Sequence, residues 1–179
     1  MTSACSINLK TGNKNVEEAK KIENKVEKKT KKEEKKVINN EDIAGTYFLV
    51  NDYNNEIVND EYMTLNTDGT FFKQVNFCAG IKHVRGSYSA VQENDVITVQ
   101  FKVDGSDVTI PATLSDNLIT IKYKVEDVNE GGKYVPVVNF FDSCGGISND
   151  GDYNVMNLKK GSESDIKYLD EITAQIGPY

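Results

Sequence analysis

The sequence predicts an all-β protein: an antiparallel eight- to nine-stranded up-and-down barrel or meander, with a charged N-terminal stalk and a C-terminal helix. Three observations predict this fold class. Short runs rich in Val, Ile, Thr, Tyr and Phe fill residues 43–158, clusters of Asn, Asp and Gly separate the runs, and apolar and polar residues alternate within them. Runs of this length with a period of two are typical of half-buried strands joined by hairpins.

The stalk differs from the rest of the chain in charge. Residues 1–40 carry 11 Lys and 6 Glu, a net charge of +5, whereas residues 41–179 carry 10 basic and 22 acidic residues, a net charge of -12. The stalk also has almost nothing to bury, so we expect a flexible or helical tether at 1–40, a β domain at 41–160 and a helix at 161–179. A domain this acidic repels phosphate backbones, and nucleic-acid binding is not expected.

The start of the chain contains a motif for lipid attachment. Thr2, Ser3 and Ala4 precede Cys5 as small residues precede the lipidated cysteine of a bacterial lipobox, and a chance Ala-Cys pair is the alternative. The tether would lift a domain clear of the headgroups, because residues 11–38 reach about 40 Å if helical. We therefore expect export by a signal peptide and anchoring to the outer side of the cell membrane through a diacylated Cys5.

The strand boundaries follow from the apolar runs and from the turns between them. Turn residues such as Thr67-Asp68-Gly69 permit the positive φ angles that tight hairpins need. Pro111 lies inside one run and indicates an edge or bulge, with incomplete closure of the barrel. The predicted strands are Gly45–Val50, Glu61–Asn66, Thr70–Phe77, Val84–Ala90, Val96–Val103, Val108–Leu114, Leu118–Val125, Tyr134–Asp142 and Tyr153–Leu158.

Successive hairpins with one apolar face close most simply into a barrel, which leaves no unpaired edge. With eight strands, the interior has room for side chains or for one small ligand. After Gly161, Ser162 begins a predicted helix of about 12 to 15 residues. Its apolar residues, among them Ile166, Leu169 and Ile172, follow roughly helical spacing, so we expect the helix to pack on the sheet or to cover one barrel end.

Four short motifs are similar to those of a known family. They are Gly45-Thr46-Tyr47, the run Thr64–Phe71, Cys78-Ala79-Gly80 and Gly86-Ser87-Tyr88. Together they resemble the lipocalin-like domains of lipoproteins from Gram-positive anaerobes such as clostridia, over residues 43–158. The resemblance implies a lipocalin-like barrel in an extracytoplasmic lipoprotein.

The barrel pattern and the export motif together predict a non-catalytic lipoprotein that binds a small apolar or amphipathic ligand and acts as a monomer. The residues expected to contact that ligand are Tyr47, Phe72, Tyr88, Phe101 and Tyr123. The alternative is an interaction module whose interior is filled by Tyr and Phe and whose acidic outer surface meets a protein or the cell wall. An interior without a cavity of roughly 300 Å³ would favour the alternative. Enzymatic activity is not expected, because the chain has one His and no recognisable nucleophile motif.

Cys78 and Cys144 form the remaining candidate site. In an exported β domain two cysteines most simply form a disulfide, and two buried free thiols are the alternative. Zinc bound by these cysteines with His83, and calcium bound at Asn149–Asp152, both lack the usual ligand spacing. No metal or cofactor is therefore predicted.

Overall fold

The computed structural model describes residues 35–51, 54–77, 80–124, 135–141, 143 and 147–176. Ten strands and three helices lie within these residues. In chain order they are β1 Lys36–Val37, α1 Asn40–Ile43, β2 Gly45–Val50, β3 Ile57–Leu65, β4 Thr70–Phe77, β5 Gly80–Glu93, β6 Val96–Val103, β7 Thr109–Ser115, β8 Leu118–Tyr123, α2 Val135–Phe141, β9 Ile147–Asp150, β10 Tyr153–Lys160 and α3 Glu163–Ile176.

Eight strands form a closed antiparallel barrel. From β2 to β8 each strand pairs with the next one along the chain, and β10 pairs with both β8 and β2, which closes the ring. β1 and β9 lie outside the ring, where they pair with β5 and β10. The predicted all-β, up-and-down barrel with a C-terminal helix is confirmed.

The expected break in closure at Pro111 does not occur. Pro111 lies in β7 opposite Gln100 of β6, while the register between β7 and β8 covers only Thr113–Ser115. Proline cannot donate a ladder hydrogen bond. It is accommodated here because β7 pairs on one side only at this position.

The core lies inside the barrel. In β7, Ile110, Ala112 and Leu114 are buried while the residues between them are exposed, which is the alternation expected of a barrel wall. Since the eight strands alternate in direction, α1 before β2 and α2 after β8 lie at opposite ends. Ile43 of α1 and Phe140 of α2 are both buried, so each end is covered by a short helix.

The predicted strand Tyr134–Asp142 is wrong, because residues 135–141 form helix α2. A run of Val and Phe is typical of a strand. The barrel, however, is closed without this segment and leaves it no edge to join. Pro136 lies in the first helical turn, where its missing N–H removes no intrahelical hydrogen bond.

The C-terminal helix α3 begins as the sequence predicts. Ser162 is its N-cap: the Asp165 amide donates to Ser162 Oγ at 3.4 Å, and the Ser162 amide donates to the Asp165 carboxylate at 2.7 Å. α3 contacts β3 on the outer wall, and Ile166 and Tyr168 on it are exposed. None of the helices in the described part of the chain is long and apolar enough to cross a bilayer.

Candidate functional site: a buried ion pair beneath helix α2

Two opposite charges lie inside the barrel. Lys73 of β4 is 0% exposed and Glu61 of β3 is 1% exposed, and Lys73 Nζ lies 3.0 Å from Glu61 Oε1. Removing each ion from water costs several kcal/mol, so a buried pair of this kind contributes little net stability compared with apolar residues. The pair is therefore a candidate for a role other than folding.

Strand alternation explains why Lys73 points inward. Phe71, Lys73 and Val75 are consecutive inward positions of β4, and all three are buried. Lys73 also stands opposite Met63 of β3, another buried residue. A lysine occupies a position that the pattern reserves for an apolar side chain.

Strand alternation also points the partner carboxylate inward, since Glu61 lies two residues before Met63 and both are buried, at the end of a bulge in β3. The register between β2 and β3 shifts after Phe48, and residues 59–61 of β3 have no partner on β2. Bulges bend a strand and redirect its side chains, often beside functional sites. Glu61 is the last residue of this bulge. Asn59 at its start has a buried Oδ1 atom with no hydrogen-bond partner among the described residues.

Helix α2 covers the ion pair and hydrogen-bonds to it. Lys73 Nζ donates to the main-chain carbonyl of Phe140 at 3.0 Å and lies 5.4 Å from the centre of the Phe140 ring. The hydroxyl of Ser143, just after α2, donates to Glu61 Oε2 at 2.7 Å. Each charge of the pair therefore contacts both its partner and the segment that covers it.

Aromatic contacts complete this end of the barrel. The Phe140 ring packs edge-on against Phe71, at 5.8 Å between centroids, and in a tilted arrangement against Phe101, at 5.9 Å. The next residue, Phe141, stacks on Tyr123 at 3.7 Å. α2 thus inserts one ring into the interior and seats a second on the end of β8.

Burial governs the ionisation of the site. Desolvation raises the pKa of Glu61 above its ordinary value, and Lys73 and the Ser143 hydroxyl only partly offset it. Burial also raises the pKa of Tyr47 and of Tyr123 to about 12. Both phenols are therefore neutral at physiological pH, and the Tyr47 hydroxyl donates to the main-chain carbonyl of Ile43 at 2.8 Å.

The structure separates the five residues expected to contact a ligand. The interior holds Tyr47, Tyr88 and Phe101, while Tyr123 lies beneath α2 and Phe72 lies on the outer wall. The hydroxyls of Tyr47 and Tyr88 donate to main-chain carbonyls at 2.8 and 2.6 Å. Their polar atoms thus hold the end of the barrel near α1 together.

The described interior is filled by its own side chains. Tyr47, Phe71, Phe101 and Phe140 are each at most 2% exposed. A side chain that lined a cavity large enough for water would keep accessible surface on the cavity side. Among the described residues, the interior around these rings therefore leaves no space for a ligand in this conformation.

A separate open pocket of about 420 Å³ lies on the outer wall. Outward-facing residues of β2, β8 and β10 and the adjoining turns form it, and its lining is Val50, Asn55, Ser115, Asp116, Leu118, Asn157 and Lys159. The pocket shares no residue with the buried ion pair and lies on the opposite side of the barrel wall from the core.

Aromatic side chains also cross the outer wall of the barrel. Phe48, Tyr62 and Phe72 lie on neighbouring strands with centroids 6.0 and 6.1 Å apart, and the Arg85 guanidinium lies 5.3 Å from the Phe72 ring. We call these four residues the outer aromatic stripe. Tyr62 and Phe72 are partly exposed there. Phe48 is 0% exposed, so the partly exposed Tyr62 and Phe72 are the candidates for partner contacts in this stripe.

Several predicted sites lie outside the described residues, namely Cys5, Cys78 and Cys144, so lipid attachment and the disulfide stay predictions. His83 is exposed in β5, where its Nε2 is 3.3 Å from the side-chain oxygen of Gln74. Gly151, with φ of +63°, lies in the turn of the β9–β10 hairpin. Within the described ranges, no group of three or more possible metal ligands occurs.

Lys73 and Glu61 were not among the site residues that the sequence predicted. The signal was available in part, because Phe71-x-Lys73-x-Val75 places a lysine at an inward position of a predicted strand. The same alternation places Glu61 on the inward face with Met63 and Leu65, but its contact with Lys73 depends on the register between β3 and β4. Comparisons with protein-family models, with curated proteins and with solved structures found no match to this chain.

Proposed function

We propose that this chain is a non-catalytic lipoprotein, anchored outside the cell membrane, whose filled barrel is a module for binding a protein or a cell-wall polymer. The observation that carries the proposal is the filled interior, because a barrel whose centre is occupied by Tyr47, Phe71, Phe101 and Phe140 offers its outer wall for contacts. This is the alternative that the sequence analysis left open.

The outer aromatic stripe supports the proposal. Tyr62 and Phe72 combine aromatic area with a neighbouring guanidinium, and aromatic and Arg side chains are the residue types that most often dominate binding energy at interfaces. α3 adds exposed Ile166 and Tyr168 on the same outer wall. We expect partner contacts to centre on this region.

Binding of the full chain to purified cell walls and to solubilised membrane proteins of the source bacterium tests the proposal. We expect the double variant Tyr62→Ser, Phe72→Ser to lose at least about tenfold in affinity, since each residue would supply more than about 1 kcal/mol. The matched control is Val96→Ser, which changes an apolar residue that is 52% exposed on β6, outside the stripe. Equal binding by the stripe variant and the control would contradict the proposal.

The anchor is tested on protein purified from its source membrane. Intact-mass analysis should find a diacylglycerol on Cys5, and an unmodified Cys5 would exclude the anchor. Free-thiol counting after denaturation tests the Cys78–Cys144 disulfide, which would contribute on the order of 3 to 4 kcal/mol by closing a loop of this length. Two reactive thiols besides Cys5 would exclude it.

A second function, binding of a small amphipathic ligand inside the barrel, is favoured by one specific observation. The buried Lys73–Glu61 pair lies beneath a short helix that is attached to it by hydrogen bonds. An ion pair that adds little net stability has a reason to be there if its charges meet a ligand when α2 moves away.

A further inference from the structure

We propose that Lys73 and Glu61 form the headgroup end of a ligand site that opens when α2 leaves the barrel. The ligand of this site is an amphiphile with no net charge, whose head both donates and accepts hydrogen bonds. This inference rests on the second function above and adds to it the position of the site and the class of ligand.

Hydrogen bonds with buried side chains hold α2 on the barrel. Lys73 donates to the Phe140 carbonyl and Ser143 donates to Glu61, both by hydrogen bonds of 3.0 Å or less. At the rim, Lys82 Nζ donates to the Asn139 side chain at 3.0 Å. A polar headgroup can replace the first two hydrogen bonds one for one. The buried charges would then remain satisfied with α2 displaced, which an apolar ligand could not achieve.

Helix α2 occupies an apolar space at the end of the barrel. The Phe140 ring lies among Phe71, Phe101 and Phe141, and it enters the aromatic interior from α2. Once Phe140 has left, the walls of the vacated space are apolar. The two charges lie at its edge, with Lys73 Nζ 5.4 Å from the former centre of the Phe140 ring. Such a space fits an alkyl chain with a polar end.

The charges of Lys73 and Glu61 determine which net charge the ligand headgroup can carry. Lys73 and Glu61 together are neutral, and they are the charged side chains that are buried among the described residues. An anionic head on Lys73 would leave Glu61 repelled and unpaired, and a cationic head would do the same to Lys73, at a high cost in a desolvated site. A hydroxyl-rich or zwitterionic head satisfies both charges.

A further acceptor lies close by in sequence. Asn59, two residues before Glu61 in the same bulge, has a buried Oδ1 atom that no described residue satisfies. Unsatisfied buried acceptors are uncommon in folded proteins and call for an explanation. A donor on the ligand head would supply the missing partner.

The test compares three amphiphiles of equal chain length on the full protein by calorimetry, below their micelle concentrations: monododecanoylglycerol, dodecanoate and dodecylamine. We expect the glycerol ester to bind at least tenfold more tightly than either charged ligand. We also expect Phe140→Ala to bind it more tightly than the native chain, because the variant has already vacated the space. An unchanged affinity in Phe140→Ala would place the ligand elsewhere, for example in the outer pocket, and overturn the proposal.

Charge variants test the headgroup assignment. Glu61→Gln leaves a positive site and should prefer dodecanoate, whereas Lys73→Met leaves a negative site and should prefer dodecylamine. A purely structural pair would not invert ligand preference in opposite directions. If Lys73→Met does not fold, the double variant Lys73→Met, Glu61→Leu is measured in its place. We expect the double variant to lose the native preference for the glycerol ester over plain dodecane.

Failures of the two ideas are distinguishable. If neither the native chain nor Phe140→Ala binds any amphiphile, the ligand-binding function itself is excluded and the outer-wall module stands alone. If amphiphiles bind but Glu61→Gln and Lys73→Met keep the native preference, the ligand function stands and the assignment of the head to this pair is wrong.

Discussion

Replacing Lys73 by Met is the most informative perturbation of stability. The substitution keeps a long unbranched side chain but removes the Nζ atom, and with it the hydrogen bonds to Glu61 and to the Phe140 carbonyl, both 3.0 Å long. Glu61, 1% exposed, would then be a buried carboxylate that keeps its hydrogen bond from Ser143. Breaking a fully buried pair from one side costs about 3 to 5 kcal/mol.

That cost is large relative to the free energy of unfolding of a domain, about 5 to 15 kcal/mol. Urea denaturation of the native chain and the variant measures it. The double variant Lys73→Met, Glu61→Leu should regain most of the loss, because an apolar pair carries no desolvation penalty. The matched control is Lys122→Met, which breaks an exposed pair with Asp150 and should leave the denaturation midpoint nearly unchanged.

Two results would refute this reasoning. One is a loss below about 1 kcal/mol for Lys73→Met, which would mean that water reaches the pair as it does at the surface. The other is a double variant no more stable than the single one, because the loss would then not come from leaving the Glu61 carboxylate buried and unpaired.

Three further predictions concern stability. Burial raises the pKa of Glu61, so the folded state keeps the Glu61 proton at a pH where the unfolded chain has lost it. This group therefore makes the free energy of unfolding fall as pH rises above about 4.3. Denaturation between pH 4 and 7 should show this decline as a difference from Glu61→Gln, and parallel profiles would contradict it. Gly86→Ala should cost about 1 to 3 kcal/mol or more, because its Cβ would lie 2.1 Å from the Lys102 carbonyl oxygen and 2.6 Å from the Phe71 ring; an unchanged melting temperature would contradict this packing. Ser162→Ala should cost about 1 kcal/mol by removing the cap of α3, and hydrogen exchange should quicken in α3 but not in the barrel.

The fold was predictable because its signals are local. Turn residues such as Gly69 and Gly105 adopt the positive φ that their hairpins need, and Ser162 caps the helix that it was expected to begin. Each feature depends on a few neighbouring residues, so the sequence alone indicates it. The barrel then follows, because each hairpin pairs a strand with the next.

What the sequence did not reveal depends on contacts between distant residues. Val135–Phe141 has the composition of a strand, and it is helical in a chain whose barrel closes without it. Glu61 and Lys73 meet because the register between β3 and β4 places Met63, two residues after Glu61, opposite Lys73, and Ser143 reaches them from far along the chain. Composition and periodicity do not encode such pairings, so the candidate site needed the structure.

The most direct test of the sealed interior is NMR of the lysine ammonium groups in the full chain. An ammonium shielded from water and held by Glu61 and the Phe140 carbonyl exchanges its protons slowly. We expect Lys73 to give a slowly exchanging signal at neutral pH, close in space to the Phe140 ring, that disappears in Lys73→Met. If the Lys73 protons exchange as fast as those of the exposed Lys122, water reaches the pair, and the filled, α2-covered barrel described above is wrong.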